Sequence, residues 1–169
     1  MKATEVLADG FGRIREVVHE TVTGLTAERL NARPDPEANS IAWLVWHLTR
    51  IQDDHVADAA GQEQVWRSAG WAGRFDLPLP VADHGYGHTA EQAGSVRVDS
   101  PELLLGYYDA VHEASLRYVR GLAAADLERI VDERWDPPVT LGVRLVSVLA
   151  DDLQHAGQAA YVRGLLERR

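Results

Sequence analysis

Apolar residues recur along most of this chain three and four positions apart, the spacing of a helix face, and almost nowhere in the strict alternation of a strand. Four long segments carry the pattern. Between about Thr4 and Leu25, the residues Val6, Leu7, Ile14, Val17, Val18, Val22 and Leu25 fall on one broad face, with Gly10 and Gly12 weakening the middle. The second segment runs from an N-capping Ser40 to about Ala60. Ile41, Leu44, Leu48 and Ile51 form its stripe, Trp43, Trp46 and His47 share its first turns, and Gln52 to His55 make its second half polar. A third starts at Ser100-Pro101-Glu102, a capping serine with proline at the first helical position, and reaches about Leu122. The fourth follows Thr140 and continues to about Glu167, striped by Leu141, Leu145, Val148, Leu149, Ala156, Ala159 and Val162.

The connections are unequal. Asn31 to Asn39 holds Pro34 and Pro36 and reads as a linker. Gly61 to Asp99 is long and irregular, with a short helical piece near Gln64 to Trp71 and then Pro78, Pro80, Gly85 and Gly87. Trp66, Trp71, Phe75 and Tyr86 give this stretch enough apolar surface to pack, so an ordered crossover or lid is expected. A short helix is expected near Ala125 to Val131, before a firm break at Asp136-Pro137-Pro138. The whole pattern predicts an all-α protein, one domain over residues 1–169, built as a four-helix bundle with a long crossover between its second and third long helices.

Charge narrows the class of partner. A formal net charge of −9 argues against nucleic acid and against an anionic membrane surface, both of which need concentrated Lys and Arg. No apolar run approaches the roughly 20 residues that span a bilayer. The first residues lack a charged-then-apolar export pattern, and a cytoplasmic location is expected. Cysteine is absent, so a metal would need His, Asp or Glu, and thiol chemistry would need a thiol from outside. Lys2 is the single lysine against many arginines, a bias that points to a GC-rich genome such as an actinobacterial one.

One helix stripe breaks its own rule. Asp151, Asp152 and His155 sit in the middle of the fourth segment, where charged groups enter a core only if paired or bound to metal. Asp151 and His155 are four apart, so their side chains lie about 40° apart on one face, one turn above the other. A carboxylate and an imidazole so placed can grip one ion, given a further ligand from another helix. His47, between Trp46 and Leu48 on an otherwise apolar segment, is the natural candidate. Two nitrogens and one carboxylate oxygen suit zinc, with nickel or iron as alternatives, and three protein ligands leave the open position of a catalytic site. Spacing leaves two things open: Asp152 is as well placed as Asp151, and a simple hydrogen-bonded Asp–His pair meets the same pattern.

Trp43-Leu44-Val45-Trp46-His47-Leu48 resembles the second-helix motif of the DinB-like family, and Asp151-Asp152-Leu153-Gln154-His155-Ala156-Gly157-Gln158 resembles its fourth-helix motif. The resemblance covers nearly the whole chain and implies a bundle holding a divalent metal through His47, Asp151 and His155. A carboxylate at 151, where many relatives have a third histidine, is similar to the branch that includes mycothiol-dependent maleylpyruvate isomerase. Phe11 to Val18, Arg50 to Val56 and Tyr86-Gly87-His88 are similar to actinobacterial mycothiol S-transferases. What this implies is a metal-dependent transferase, of the detoxification kind, that uses mycothiol as thiol cosubstrate against a small electrophile.

Other residues are weighed against a solvated or salt-bridged helix face. Arg50, Arg144 and Gln158 are candidates for binding the thiol, the arginines by bidentate contacts. Asp54, seven positions after His47, shares its face two turns away. His84 and His88 are placed to cap the site from the crossover. Tyr86 and Trp71 read as packing residues, His19, His55 and His112 as structural or surface residues, and Trp66 or Trp71 as markers of a dimer contact if the chain is a homodimer rather than a monomer. Competing functions keep the same metal: a hydrolase with Asp152 or Asp54 as general base, a thiol-dependent isomerase, or a non-enzymatic metal- or ligand-binding stress protein.

Overall fold

The computed structural model describes residues 2–168. In chain order the elements are α1 (Ala3–Val22), α2 (Ala27–Asn31), α3 (Ile41–Ala60), α4 (Val65–Ser68), α5 (Trp71–Phe75), α6 (Ala90–Ser95), α7 (Pro101–Gly121), a short 3-10 turn (Ala124–Glu128), β1 (Ile130–Asp132), β2 (Val139–Thr140) and α8 (Leu141–Glu167). The expected caps form: Ser40, Ser100 and Thr140 each accept a hydrogen bond from the backbone N–H three residues on, at 3.1, 3.2 and 3.3 Å. Gly24, at φ +81°, turns the chain soon after α1 ends.

The four long helices are the bundle. They pack in the ring order α1–α7–α3–α8, α8 closing back onto α1. One core cluster centres on Ile14, Val18, Trp43, Leu44, Trp46, Leu104 and Tyr108. A second, at the other end, gathers Leu7, Phe11, Val56, Val119, Leu141 and Leu145. No helix among the described residues is long and apolar enough to cross a membrane.

The expected all-α fold is therefore present, with differences at its edges. The segment read as a short helix at Ala125 to Val131 is a 3-10 turn followed by β1, whose β-branched Ile130 and Val131 suit a strand. β1 pairs antiparallel with β2 across the proline-rich break, Ile130 opposite Thr140. The crossover contains three short helices, α4, α5 and α6, where one was expected.

The crossover explains the burial of α3. Every residue from Ile41 to Asp53 is buried, polar ones included, because α4, α5 and the following turn cover the face a three-helix contact would leave wet. Some of the buried polar groups there are tied across to neighbouring elements. Gln52 Nε2 donates to Ser115 Oγ at 2.8 Å. Asp53 accepts from the backbone of Val65 and Trp66 at 2.8 and 2.7 Å and from Tyr107 at 2.9 Å. Burial still pushes the Asp53 carboxyl above the usual carboxylate range.

Candidate metal centre

α3 and α8 run antiparallel: His47 meets His155 with ring centroids 4.8 Å apart, while eight residues later His55 meets Arg144, eleven residues earlier on α8. This places a buried α3 residue and two half-buried α8 residues at one point. His47, Asp151 and His155 each offer a ligand atom, all within 4.8 Å of one another, and so form a group able to hold a metal ion. His155 Nε2 and Asp151 Oδ1 stand 3.7 Å apart, too far for a hydrogen bond.

The histidines are held from behind. His47 Nδ1 lies 2.5 Å from the His84 carbonyl oxygen. A carbonyl only accepts, so Nδ1 carries the proton and Nε2 keeps its lone pair. His155 Nδ1 donates likewise to Gln158 Oε1 at 2.8 Å, again freeing Nε2. Burial pushes the His47 imidazole below its ordinary pKa, against the pull of the His84 carbonyl, which keeps it neutral at neutral pH. Asp151 Oδ2 is buried with no hydrogen-bond partner. Two imidazoles each held through Nδ1 and a carboxylate with an orphaned oxygen are the donor set that a divalent ion requires, and these residues fit one. The Trp43 indole stacks on His47 at 4.6 Å and meets His155 edge-on at 6.1 Å, fixing both rings sideways.

The choice that spacing left open falls to Asp151. Asp152 points away into the core, is 0 % exposed, and has both carboxylate oxygens without a partner. Burial pushes its pKa well above the usual range.

Arg50 corrects an expectation. It was a candidate for thiol binding, but it is 0 % exposed and its Nε and Nη1 are engaged by the crossover, Nη2 being buried without a partner. It donates to the Asp83 carbonyl at 3.1 Å and to Gln64 Oε1 at 2.8 Å and lies over the Trp66 ring at 5.0 Å. Burying a charge is tolerable only with such partners. Arg144 is partly exposed, bonded to Asp132 at 2.9 Å and His55 at 3.1 Å, at the edge of a polar cavity of about 340 Å³ shared with Asp54, Asp58, Gln62, Gln64 and Arg134. Gln158 positions His155. Asp54 accepts from Gln64 at 2.6 Å. Trp66, read as a surface dimer marker, is 3 % exposed and packs on Phe75 and Tyr107, so it offers no contact surface. Trp71 is half-buried against Tyr107, Tyr86 is exposed, and His19 pairs with Asp109 at 2.8 Å.

The crossover reaches the site, as expected of an ordered cap, but through its backbone and not through free histidine side chains. His88 is nearly buried, accepting from Trp43 Nε1 at 3.1 Å on one ring nitrogen and meeting Asp83 at 3.0 Å on the other. The role of the His84 carbonyl was invisible to a reading of side chains; the only local signal is the pair of glycines flanking Tyr86.

The profile of the DinB superfamily matches residues 11–159. The chain belongs to the DinB superfamily. That superfamily includes metal-dependent enzymes. A conserved protein of Enterococcus faecalis, known from its crystal structure, is 33% identical and superposes with a TM-score of 0.93, covering 100% of this chain and 99% of that one. No curated protein matches in sequence.

Proposed function

We propose that this DinB-superfamily protein is a metal-dependent transferase that activates an external small-molecule thiol, mycothiol in the reading the sequence favours, for attack on a small electrophile. The observation that carries it is the convergence of His47, Asp151 and His155, with both Nε2 atoms unspent. Three protein ligands leave a place for one more. A divalent ion held by His47, Asp151 and His155 would supply a Lewis acid that favours the thiolate form of an external thiol, which a cysteine-free protein lacks.

The chain's own residues do the positioning. Trp43 walls the site and excludes water from one side of His47. Arg144, two turns along the same seam, lines a polar cavity but is bonded to Asp132 and His55, so its part is to hold that end of the seam and not to bind the thiol. The hydrolase alternative is less well served. Of its two candidate bases, Asp152 is sealed in the core and Asp54 is engaged by Gln64.

The test is to purify the protein without a metal-affinity tag, measure bound metal, and follow loss of an electrophile such as chlorodinitrobenzene with and without mycothiol. Near-stoichiometric zinc or nickel and thiol-dependent conjugation are expected. No metal after incubation with excess zinc, or turnover indifferent to thiol, overturns the proposal.

A further inference from the structure

The crossover touches the triad at Gly85. Its φ is +91°, a backbone conformation that L side chains rarely adopt. A Cβ there would lie 2.7 Å from His47 Nδ1, 3.0 Å from the Trp46 ring and 3.3 Å from the Trp43 ring. Gly87, two residues on, is also left-handed at φ +74°, but a Cβ there would meet nothing within 4 Å. The two glycines make the same demand on the backbone and differ in what they touch.

We propose that the Asp83-His84-Gly85 step of this turn is the positioning element of this centre: seated on the His47 ring by Gly85, it uses the His84 carbonyl to hold His47 in the Nδ1–H form and leave Nε2 for an ion. A neutral imidazole in water divides between two tautomers, and its ring turns about a broad torsion. The His84 carbonyl removes the first freedom, and contact with Gly85 and Trp43 removes the second.

The turn is itself tied down. Asp83 Oδ1 accepts from the Gly85 N–H at 2.8 Å and meets His88 Nε2 at 3.0 Å. The Asp83 carbonyl accepts from the buried Arg50 at 3.1 Å. His88 closes the circuit by accepting from Trp43, the residue stacked on His47. The buried Arg50 therefore acts on the centre at one remove, by fixing the turn. Because the working atom is a main-chain carbonyl, no side-chain truncation deletes it. Only displacing the turn does, and position 85 is where a single methyl group would do so.

The metal half of the proposal rests on reading the triad as metal ligands; the tautomer half does not. The test compares Gly85→Ala with Gly87→Ala in the full chain. Three quantities are read: zinc affinity by competition with a chromogenic chelator, the visible spectrum of the cobalt form, and the His47 tautomer by long-range nitrogen–proton correlation on metal-free protein, assigned with His47→Asn. Outer-shell partners of a ligating histidine are worth about 10- to 100-fold in affinity. Gly85→Ala should weaken zinc by that factor, change the cobalt spectrum, and turn the single Nδ1–H signature into a mixture. Gly87→Ala, also at a positive φ, should leave all three unchanged. Equal zinc affinity in the two variants, or an intact Nδ1–H signature in Gly85→Ala, overturns the proposal. Should Gly85→Ala fail to fold, Asp83→Ala loosens the turn without a clash, and an unchanged tautomer and affinity there overturn it equally. If the wild type binds no metal, the metal reading fails alone, and the tautomer comparison still decides what the turn does.

Discussion

Two polar clusters lie on the seam between α3 and α8 and spend their atoms in opposite ways. At one end His55, Arg144, Asp132 and Arg134 satisfy one another. Asp132 accepts from Arg134 and Arg144, each at 2.9 Å, and Arg144 meets His55 at 3.1 Å. The hydrogen bonds of Arg134 hold the Asp132 carboxyl well below the usual range. This cluster ties β1 to α8. Two turns along, His47, Asp151 and His155 converge with no hydrogen bond between Asp151 and His155, and each imidazole is held through its far nitrogen. Polar groups that face each other hold a fold. Polar groups held from behind and unspent in front mark a place for a ligand.

The largest effect should separate the two ends directly. His155→Ala should lower zinc affinity by at least about 100-fold, more than loss of an outer-shell partner. Arg144→Ala should leave zinc affinity within about twofold, in keeping with its partners being protein groups, and lower the melting temperature instead. Chelator competition and thermal melts on the same preparations check both. If Arg144→Ala loses metal as His155→Ala does, the contrast between the ends is wrong.

How far this contrast was legible beforehand follows from what a helix pattern encodes. The four long helices, their caps and the grouping of His47 with the Asp151–His155 turn come from periodicity and from polar residues out of place in a stripe, and the structure brings those residues together. The choice of Asp151 over Asp152 depends on which way α8 is rotated by its contacts with both α1 and α3, and spacing is silent about that. Arg50 was misjudged because its burial is imposed by a crossover nearly forty residues long, whose docking no local pattern reports. The His84 carbonyl is a backbone atom, and backbone atoms leave no mark on a list of side chains. β1 was read as helix because three residues are too few to show a strand period.

Asp152 sharpens the comparison, since its oxygens are unspent yet sealed from any ligand. An unpaired group that nothing can reach should simply cost stability. Its folded pKa is raised by burial from an ordinary value near 3.8, so the cost is absent below that range and grows as pH rises toward the folded value. Asp152→Asn should therefore stabilise the metal-free protein by about 1–2 kcal/mol at pH 8, with the advantage shrinking toward pH 5. Urea melts at both pH values check this. An asparagine variant less stable than wild type at pH 8 would mean that the carboxylate has work to do, and that accessibility is the wrong criterion for telling the two kinds of cluster apart.

His112 gives the smallest and finest test, because it is a buried histidine with nothing to hold it from behind. Its Nδ1 has no partner, in contrast to His47 and His155, and its ring stacks on Tyr108 at 6.0 Å. Burial pushes its pKa below the ordinary 6.5, with Arg15 and Arg120 adding to the shift and Asp109 and Glu113 opposing it. Above that value neither state is protonated and His112 adds no pH dependence to stability. As pH falls through it the unfolded chain gains a proton that the native chain refuses, so stability declines until the folded pKa is passed. His112→Phe keeps a ring against Tyr108 and removes the proton. It should flatten the loss between pH 7.5 and 5.5 by somewhat less than about 1 kcal/mol, read as urea midpoints at three pH values in metal-free protein. Parallel losses in wild type and variant would locate the acid sensitivity elsewhere. A histidine without a backing hydrogen bond would then be as well accommodated as the two with one, and the distinction drawn for the metal centre would lose its force.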